Sequence, residues 1–185
     1  ELARANMITG MWAPKKRAFS CTHKFIAISE STRADLSRYY HEPPDRVSVA
    51  YPAISNIFKP ALQEVEKFRE QFQIKGPYFV MVGKRSSYKN GGIVLESFIN
   101  SELRNQARIV CIGGDKFTDS EIARFGTSVM RIGYTDDPTL VVAYSGAQAL
   151  IYPSIYEGFG IPVIEAGACG CPVIACRNSS IPEAG

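Results

Sequence analysis

The apolar positions of this chain change period along its length, and the changes mark its elements. "KFIAISESTRADLSRYY" opens on a short apolar run, Phe25–Ser29, that reads as a strand. Ser31 and Thr32 follow, and Thr32 with Asp35 has capping-box spacing. A helix is expected to begin there and to stop before Pro43-Pro44, because the residue before a proline disfavours helix. "RVSVAYP" alternates apolar and polar residues, a strand ended by Pro52. "PAISNIFKP", with Pro52 and Pro60 at its ends, has no period and reads as a linker between domains. In "ALQEVEKFREQF", Leu62, Val65, Phe68, Arg69 and Phe72 recur at helical spacing, one packed face of an amphipathic helix.

After Gly76-Pro77 the rhythm becomes regular. Strand-like runs fall at Tyr78–Val82, Arg108–Ile112, Val129–Ile132, Ala149–Tyr152 and Pro172–Ala175. Helical candidates lie between them, near Gly92–Ser101, Ser120–Phe125, Pro138–Ser145 and Pro162–Ala168. Strands rich in Val and Ile, without polar alternation, suit a parallel sheet covered on both faces. The alternation of strand and helix predicts an α/β fold, a doubly wound, Rossmann-like parallel sheet. Ligands of such sheets sit outside the carboxyl ends of the strands. The loops after Val82, Ile112, Ile132 and Tyr152 are therefore the ones to read for chemistry.

Composition narrows the class. With 185 residues, 45% hydrophobic and 21% charged, the chain suits one good globular core. No apolar run approaches the ~20 residues of a membrane span, and no signal-peptide pattern is present, so a cytoplasmic location is the expectation. The first residue is Glu1, and "NSSIPEAG" closes on a turn-like Pro-Glu-Ala-Gly, which suggests a piece of a longer polypeptide. A net charge of +3 is too mild to imply nucleic acid. Basic residues are denser early (Arg4, Lys15, Lys16, Arg17, Lys24), near Met11, Trp12 and Phe19. They read as a solvated helix face, the alternative being peripheral contact with an anionic membrane surface at its inner face. Five cysteines without C-x-x-C pairs, and two histidines, His23 and His41, give no metal-site spacing. Cys169 and Cys171 read as small, partly buried residues.

The loop "GKRSSYKN" combines a tight turn at Gly83 with Lys84, Arg85 and Lys89, then Gly91-Gly92 before a helix. Cations at a strand's carboxyl end beside a helix start suit a phosphate, and an ordinary basic surface loop is the plain alternative. "GGDKF" is not G-x-G-x-x-G, and no GxxxxGK[ST] occurs, so dehydrogenase and P-loop readings lose their main support. In "GYTDDP", Asp136 and Asp137 read as helix caps. The loop after Tyr152 holds "EGFGIPVIEAG". Pro162 fits a first helical turn, which puts a helix N-terminus near Gly160-Ile161 with free amides. Gly158 and Gly160 let a ligand approach the backbone. Glu157 precedes that helix and Glu165 lies on it, both able to face one cleft. A carboxylate accepts two hydrogen bonds from a vicinal diol, so one acid could hold a ribose and the other a sugar, with a diphosphate at the amides between them. The alternative is that Glu157 caps the helix and Glu165 is solvated.

"EGFGIPVIE" followed by "GACGCPVIA" resembles the E-x7-E signature of family 4 retaining glycosyltransferases of the GT-B fold. "VGKRSSYKN" resembles that family's phosphate loop, and "SSIPEAG" what commonly follows the signature. "AISESTRADLSRYY" with "RVSVAYPAI" is similar to the passage from its first domain into its second. The resemblance implies the C-terminal half of a GT-B protein. Residues 1–51 would be the tail of the acceptor-side domain, 52–60 the linker, and 61–185 a donor-binding domain cut short at its C-terminal end. It implies a hexose transferred with retention from a UDP- or GDP-sugar to a sugar, lipid or small-molecule acceptor, without cofactor or metal. Glu165 would hold the ribose. Glu157 would sit at the donor sugar, with Gly83 and the backbone of Gly158, Phe159, Gly160 and Ile161 around sugar and diphosphate. Arg85 and Lys89 would stabilise the leaving diphosphate, and the base would lie near Gly113 and Ile132–Tyr134. Where many members carry the Arg directly after the glycine, this chain has Lys84 and then Arg85, so Lys84 could share that role. Another nucleotide-sugar enzyme of the same fold, such as an epimerase, or a non-catalytic nucleotide-binding module would use the same residues. An interaction module with structural acids would not.

Overall fold

The structure, a computed structural model, describes residues 12–185, with side chains from residue 17 onward. The chain divides between Pro52 and Ala53 into two units. The first holds α1 (Trp12–Cys21), β1 (Phe25–Ala27), α2 (Glu30–Tyr40) and β2 (Val47–Val49), with the two strands paired in parallel. Phe19 stacks on Phe25 at 5.1 Å and on Tyr40 at 4.4 Å, and Lys24 donates to the Asp45 carbonyl. Those two members of the basic, aromatic segment are thus engaged within the unit. Arg4 and Met11, and the side chains of Trp12, Lys15 and Lys16, lie outside the described residues.

α2 starts earlier than its sequence pattern predicts. Ser29 is the N-cap, its hydroxyl accepting from the Thr32 amide at 2.9 Å, which puts Thr32 inside the first turn. Ser29 has the extended backbone a cap needs, so the Thr32–Asp35 spacing falls within the helix and not at its start. The helix ends on His41 in the left-handed conformation, ahead of Pro43 as expected.

The second unit carries α3 (Val65–Gln71), β3 (Tyr78–Val82), α4 (Gly91–Ile99), β4 (Arg108–Ile112), α5 (Asp119–Phe125), β5 (Val129–Ile132), α6 (Asp137–Ser145), β6 (Leu150–Tyr152), α7 (Ile161–Ala168), β7 (Val173–Ala175) and α8 (Ile181–Ala184). The aperiodic stretch that opens it is docked on its core. Phe58 is buried, Ile54 and Ile57 pack beside it, and the Ala61 amide donates to Ser145. α8 lies where the sequence looks turn-like. Its proline falls in the first turn, where the missing N–H breaks no helical bond, so a short helix forms.

The five strands are parallel in the order β5-β4-β3-β6-β7. This is the doubly wound α/β sheet. Alternate residues feed cores on opposite faces: Tyr78, Val80, Val110 and Ile112 join α3, α6 and α7 on one face. Met81, Ile109 and Cys111 join α4 and α5 on the other. Burial on both faces explains why these strands are apolar throughout. The chain reverses its direction of winding between β3 and β6, and a crevice opens at such a switch point.

Candidate functional site

β3 matches β4 over five residue pairs but meets β6 at one, Val80 with Leu150. Past that pair both strands end, at Val82 and Tyr152, and the loops that follow line a crevice. Its floor holds only about 10 Å³ of free space between Gly83, Lys84, Lys89, Tyr152 and Ser154. A ligand would therefore rest on the floor and not enter it. The Ile155 amide donates to the Tyr88 carbonyl at 2.8 Å and ties one wall to the other.

Lys89 and Glu157 meet across this crevice, Nζ to Oε1 at 2.6 Å, with side chains 25% and 10% exposed. Glu157 is held by its backbone as well. Its amide donates to the Ser179 hydroxyl and its carbonyl accepts from the Ser180 hydroxyl, both at 2.8 Å. Tyr152 lies beneath, 5.7 Å from Lys89 Nζ at its ring centroid. Burial pushes the Tyr152 phenol well above its ordinary range, and so do the hydrogen bond to Glu157 and the Glu157 charge. Two of the three proposed catalytic residues are thus brought together, with a buried aromatic under them.

Gly160 caps α7 in the left-handed region at φ +109°, a conformation that disfavours any side chain. Phe159 is buried in the core, so only its backbone faces the loop. The first turn offers fewer amides than its sequence suggests. Pro162 has none and the Val163 amide is bonded to the Gly160 carbonyl, which leaves Ile161 among positions 161–163.

Glu165 sits further along α7 and accepts from the Tyr144 hydroxyl of α6 at 3.1 Å. Burial raises its carboxyl above the ordinary value of 4.5. The Tyr144 hydrogen bond opposes that rise and the charge of Asp137 adds to it. A proton bound more tightly in the folded chain favours folding at low pH. This contribution is fully present below the unfolded-state value and is lost as pH rises through the raised one. Glu165→Gln is expected to flatten that slope, leaving the variant more stable than wild type at neutral pH. Thermal melts between about pH 4 and 7 read it. Equal slopes in both proteins would mark Glu165 as an ordinary surface acid.

The third proposed catalytic residue, Arg85, also lines the crevice, and its guanidinium rests on the neighbouring loop. The Arg85 guanidinium lies 4.3 Å over the Phe117 ring, on the loop after β4, and Phe117 stacks edge-on against Phe125 of α5 at 5.3 Å. Lys84 is exposed at the crevice rim. Gly83 and Gly114 meet backbone to backbone under these side chains: a Cβ on Gly114 would come 2.4 Å from the Gly83 carbonyl oxygen. Asp136 caps α6 by accepting from the Thr139 amide, while Asp137 is the first residue of that helix. Tyr134, on the loop after β5, is 99% exposed.

Sequence reasoning passed over Tyr144, Tyr152, Phe117, Ser179 and Ser180. "SSIPEAG" carried the two serines in plain view, but their partner lies 22 and 23 positions upstream. Two larger apolar cavities, about 750 and 660 Å³, border β7 and contain none of the candidate residues. Among the described residues no helix is long and apolar enough to cross a membrane, and no group of three His, Cys, Asp or Glu could hold a metal.

The family described as "Glycosyl transferases group 1" matches residues 63–184. O-antigen chain mannosyltransferase B of Escherichia coli is 28% identical over 171 residues, 85% of this chain and 44% of that protein. O-antigen chain mannosyltransferase RfbU of Salmonella typhimurium is 31% identical over 173 residues, 88% of this chain and 43% of its own length. The chain thus spans less than half of either relative. In structure it resembles Anabaena Alr3699/HepE, solved with UDP and glucose, at a TM-score of 0.75 and 18% identity, over 88% of this chain and 46% of that one.

Proposed function

The chain belongs to the group 1 glycosyl transferases, and from that premise we propose that it is the donor-binding half of a GT-B enzyme that transfers a hexose from a nucleotide-diphospho-sugar. The observation that carries this reading is the Lys89–Glu157 pair at the topological switch point, where doubly wound sheets hold their ligands. Lys89 has two donors left after Glu157, and those donors suit the oxygens of a diphosphate. Glu157, fixed by two serines, stands at the donor sugar. Glu165 accepts from the ribose diol, and Tyr144 sets the direction of its carboxylate. The open ring of Tyr134 offers a face on which a base can stack.

The bond from the anomeric carbon to phosphate breaks as a bond to the acceptor oxygen forms. With retention, the acceptor proton passes to the leaving phosphate oxygen on the same face. Loop cations and the Ile161 amide stabilise the charge that grows there. The acceptor is a sugar, a lipid or a small molecule.

Calorimetric titration of UDP, GDP and ADP into wild type and Glu165→Ala tests the reading. One nucleotide is expected to bind, and the variant to lose about 1.5–3 kcal/mol, the contribution of hydrogen bonds to a charged group. Tyr134→Ala is expected to lose about 1–3 kcal/mol through the stacked base. Wild-type binding to none of the three, or a Glu165→Ala variant with unchanged affinity, contradicts the assignment.

A further inference from the structure

The carboxylate of Glu157 has a second partner besides Lys89, and that partner is buried. We propose that Tyr152 is a positioning residue for the donor hexose: its hydroxyl fixes the Glu157 carboxylate so that the remaining lone pairs meet the sugar. The assignment rests on the donor-site reading above.

Tyr152 closes β6, where it pairs with Ala175 of β7 and its carbonyl accepts the Cys176 amide at 3.3 Å. Its ring belongs to the core and the residue is 3% exposed. A Cβ placed on Gly160 would come 3.8 Å from that ring, so the ring lies against the start of α7. Packed on these sides, the phenol donates its one proton to the Glu157 carboxyl. Its oxygen in turn accepts from the hydroxyl of Ser154, a buried residue that lines the same crevice. Ser154, Tyr152 and Glu157 thus form a short chain of hydrogen bonds, with Lys89 at its end.

The two partners of the carboxylate differ in kind. Lys89 carries a flexible ammonium, a quarter exposed, whose remaining donors suit the diphosphate. When phosphate oxygens draw on that ammonium, its grip on Glu157 shifts with them. Tyr152 has a packed ring and no charge to be drawn away. Burial keeps its phenol protonated, so it still donates to Glu157 when the crevice is filled. Ser179 and Ser180 hold only the main chain of Glu157, which leaves the direction of the carboxylate to Tyr152. A carboxylate offers about four lone-pair positions. Lys89 and Tyr152 occupy part of that set, and the rest can accept from neighbouring hydroxyls of a hexose. Those contacts depend on direction, whereas the phosphate contact depends mainly on charge. Loss of the phenol hydroxyl should therefore separate the hexose from the nucleotide.

The test pairs UDP with UDP-glucose, and GDP with GDP-mannose, in calorimetric titrations of wild type, Tyr152→Phe and Ser154→Ala. Wild type is expected to bind one nucleotide-hexose more tightly than the matching nucleotide. Tyr152→Phe keeps the ring and removes the hydroxyl. It is expected to weaken that nucleotide-hexose about tenfold and to hold the nucleotide within about twofold of wild type. A hydroxyl that served the fold alone would lower the melting temperature and leave this difference between the two ligands unchanged. If Tyr152→Phe does not fold, Ser154→Ala takes its place. That variant withdraws the donor behind the phenol and should show the same split at about threefold. A folded variant that binds both ligands like wild type overturns the proposal, as does one that loses both equally. A wild type that binds a nucleotide but gains nothing from either hexose overturns it too. A wild-type chain that binds neither UDP nor GDP overturns the donor-site reading itself, and the role of Tyr152 with it.

Discussion

Lys89→Met is expected to cost the folded chain about 2–3 kcal/mol and to reduce nucleotide affinity ten- to a hundredfold. Removing one partner of a buried ion pair is expensive because the other charge stays behind. Glu157 is only 10% exposed on its side chain, with Tyr152 beneath it, so its carboxylate would face a low-dielectric surrounding without its counter-charge. Lys89 itself is a quarter exposed, which puts the cost below that of a fully enclosed pair. The double variant Lys89→Met/Glu157→Gln removes both charges. It should recover most of the lost stability in urea unfolding, because a neutral pair no longer needs solvating. Its nucleotide affinity should stay low. If single and double variants are equally unstable, the pair is not what holds this part of the loop. If either binds nucleotide as wild type does, Lys89 does not touch the diphosphate.

Gly114→Ala is the second large effect, about 3 kcal/mol in stability, with loss of nucleotide binding. Gly114 lies at φ +64°, where an L side chain alone costs about 1–2 kcal/mol. In addition the new Cβ would stand 2.4 Å from the Gly83 carbonyl oxygen and 3.3 Å from the Lys84 Cα. Both obstacles are backbone, so the loop after β3 must shift, and its cations with it. Gly113→Ala is the control. Its φ of +71° brings the conformational cost, but nothing lies within 4 Å of its Cβ. It is expected to lose only about 1–2 kcal/mol and to keep its affinity. Equal losses at the two positions would mean that left-handed strain, and not the loop contact, sets the effect.

The central strands were legible because both their faces are covered. "YFVMV" and "RIVCI" leave no polar alternation to misread, and β3 and β4 span the residues expected. The helix starts were less secure, since they depend on which hydroxyl reaches an amide first. Ser29 does so in α2, although Thr32 and Asp35 carry the better-known spacing. α8 was hidden because Pro182 and Gly185 look alike in a turn and at the ends of a short helix. At the site, residue types and loop positions could be read from spacing, whereas directions could not. Adjacent Lys84 and Arg85 look interchangeable in sequence, and the ring that receives the Arg85 guanidinium, Phe117, lies 32 positions beyond it on another loop. The serine clamp on Glu157 has the same origin: it is a tertiary contact between segments that no local pattern connects.

The single bridge between β3 and β6 also bears on how the protein folds and unfolds. The walls of the crevice come from segments whose Lys89–Glu157 contact spans 68 positions of chain. Closing so long a loop costs entropy before any contact offsets it. The local β3–α4–β4–α5–β5 half can therefore assemble while the crevice does not yet exist. A ligand of the crevice recognises only the completed sheet. It should leave the folding rate untouched and slow unfolding. At a free concentration one hundred times its dissociation constant, the gain is about 2.7 kcal/mol.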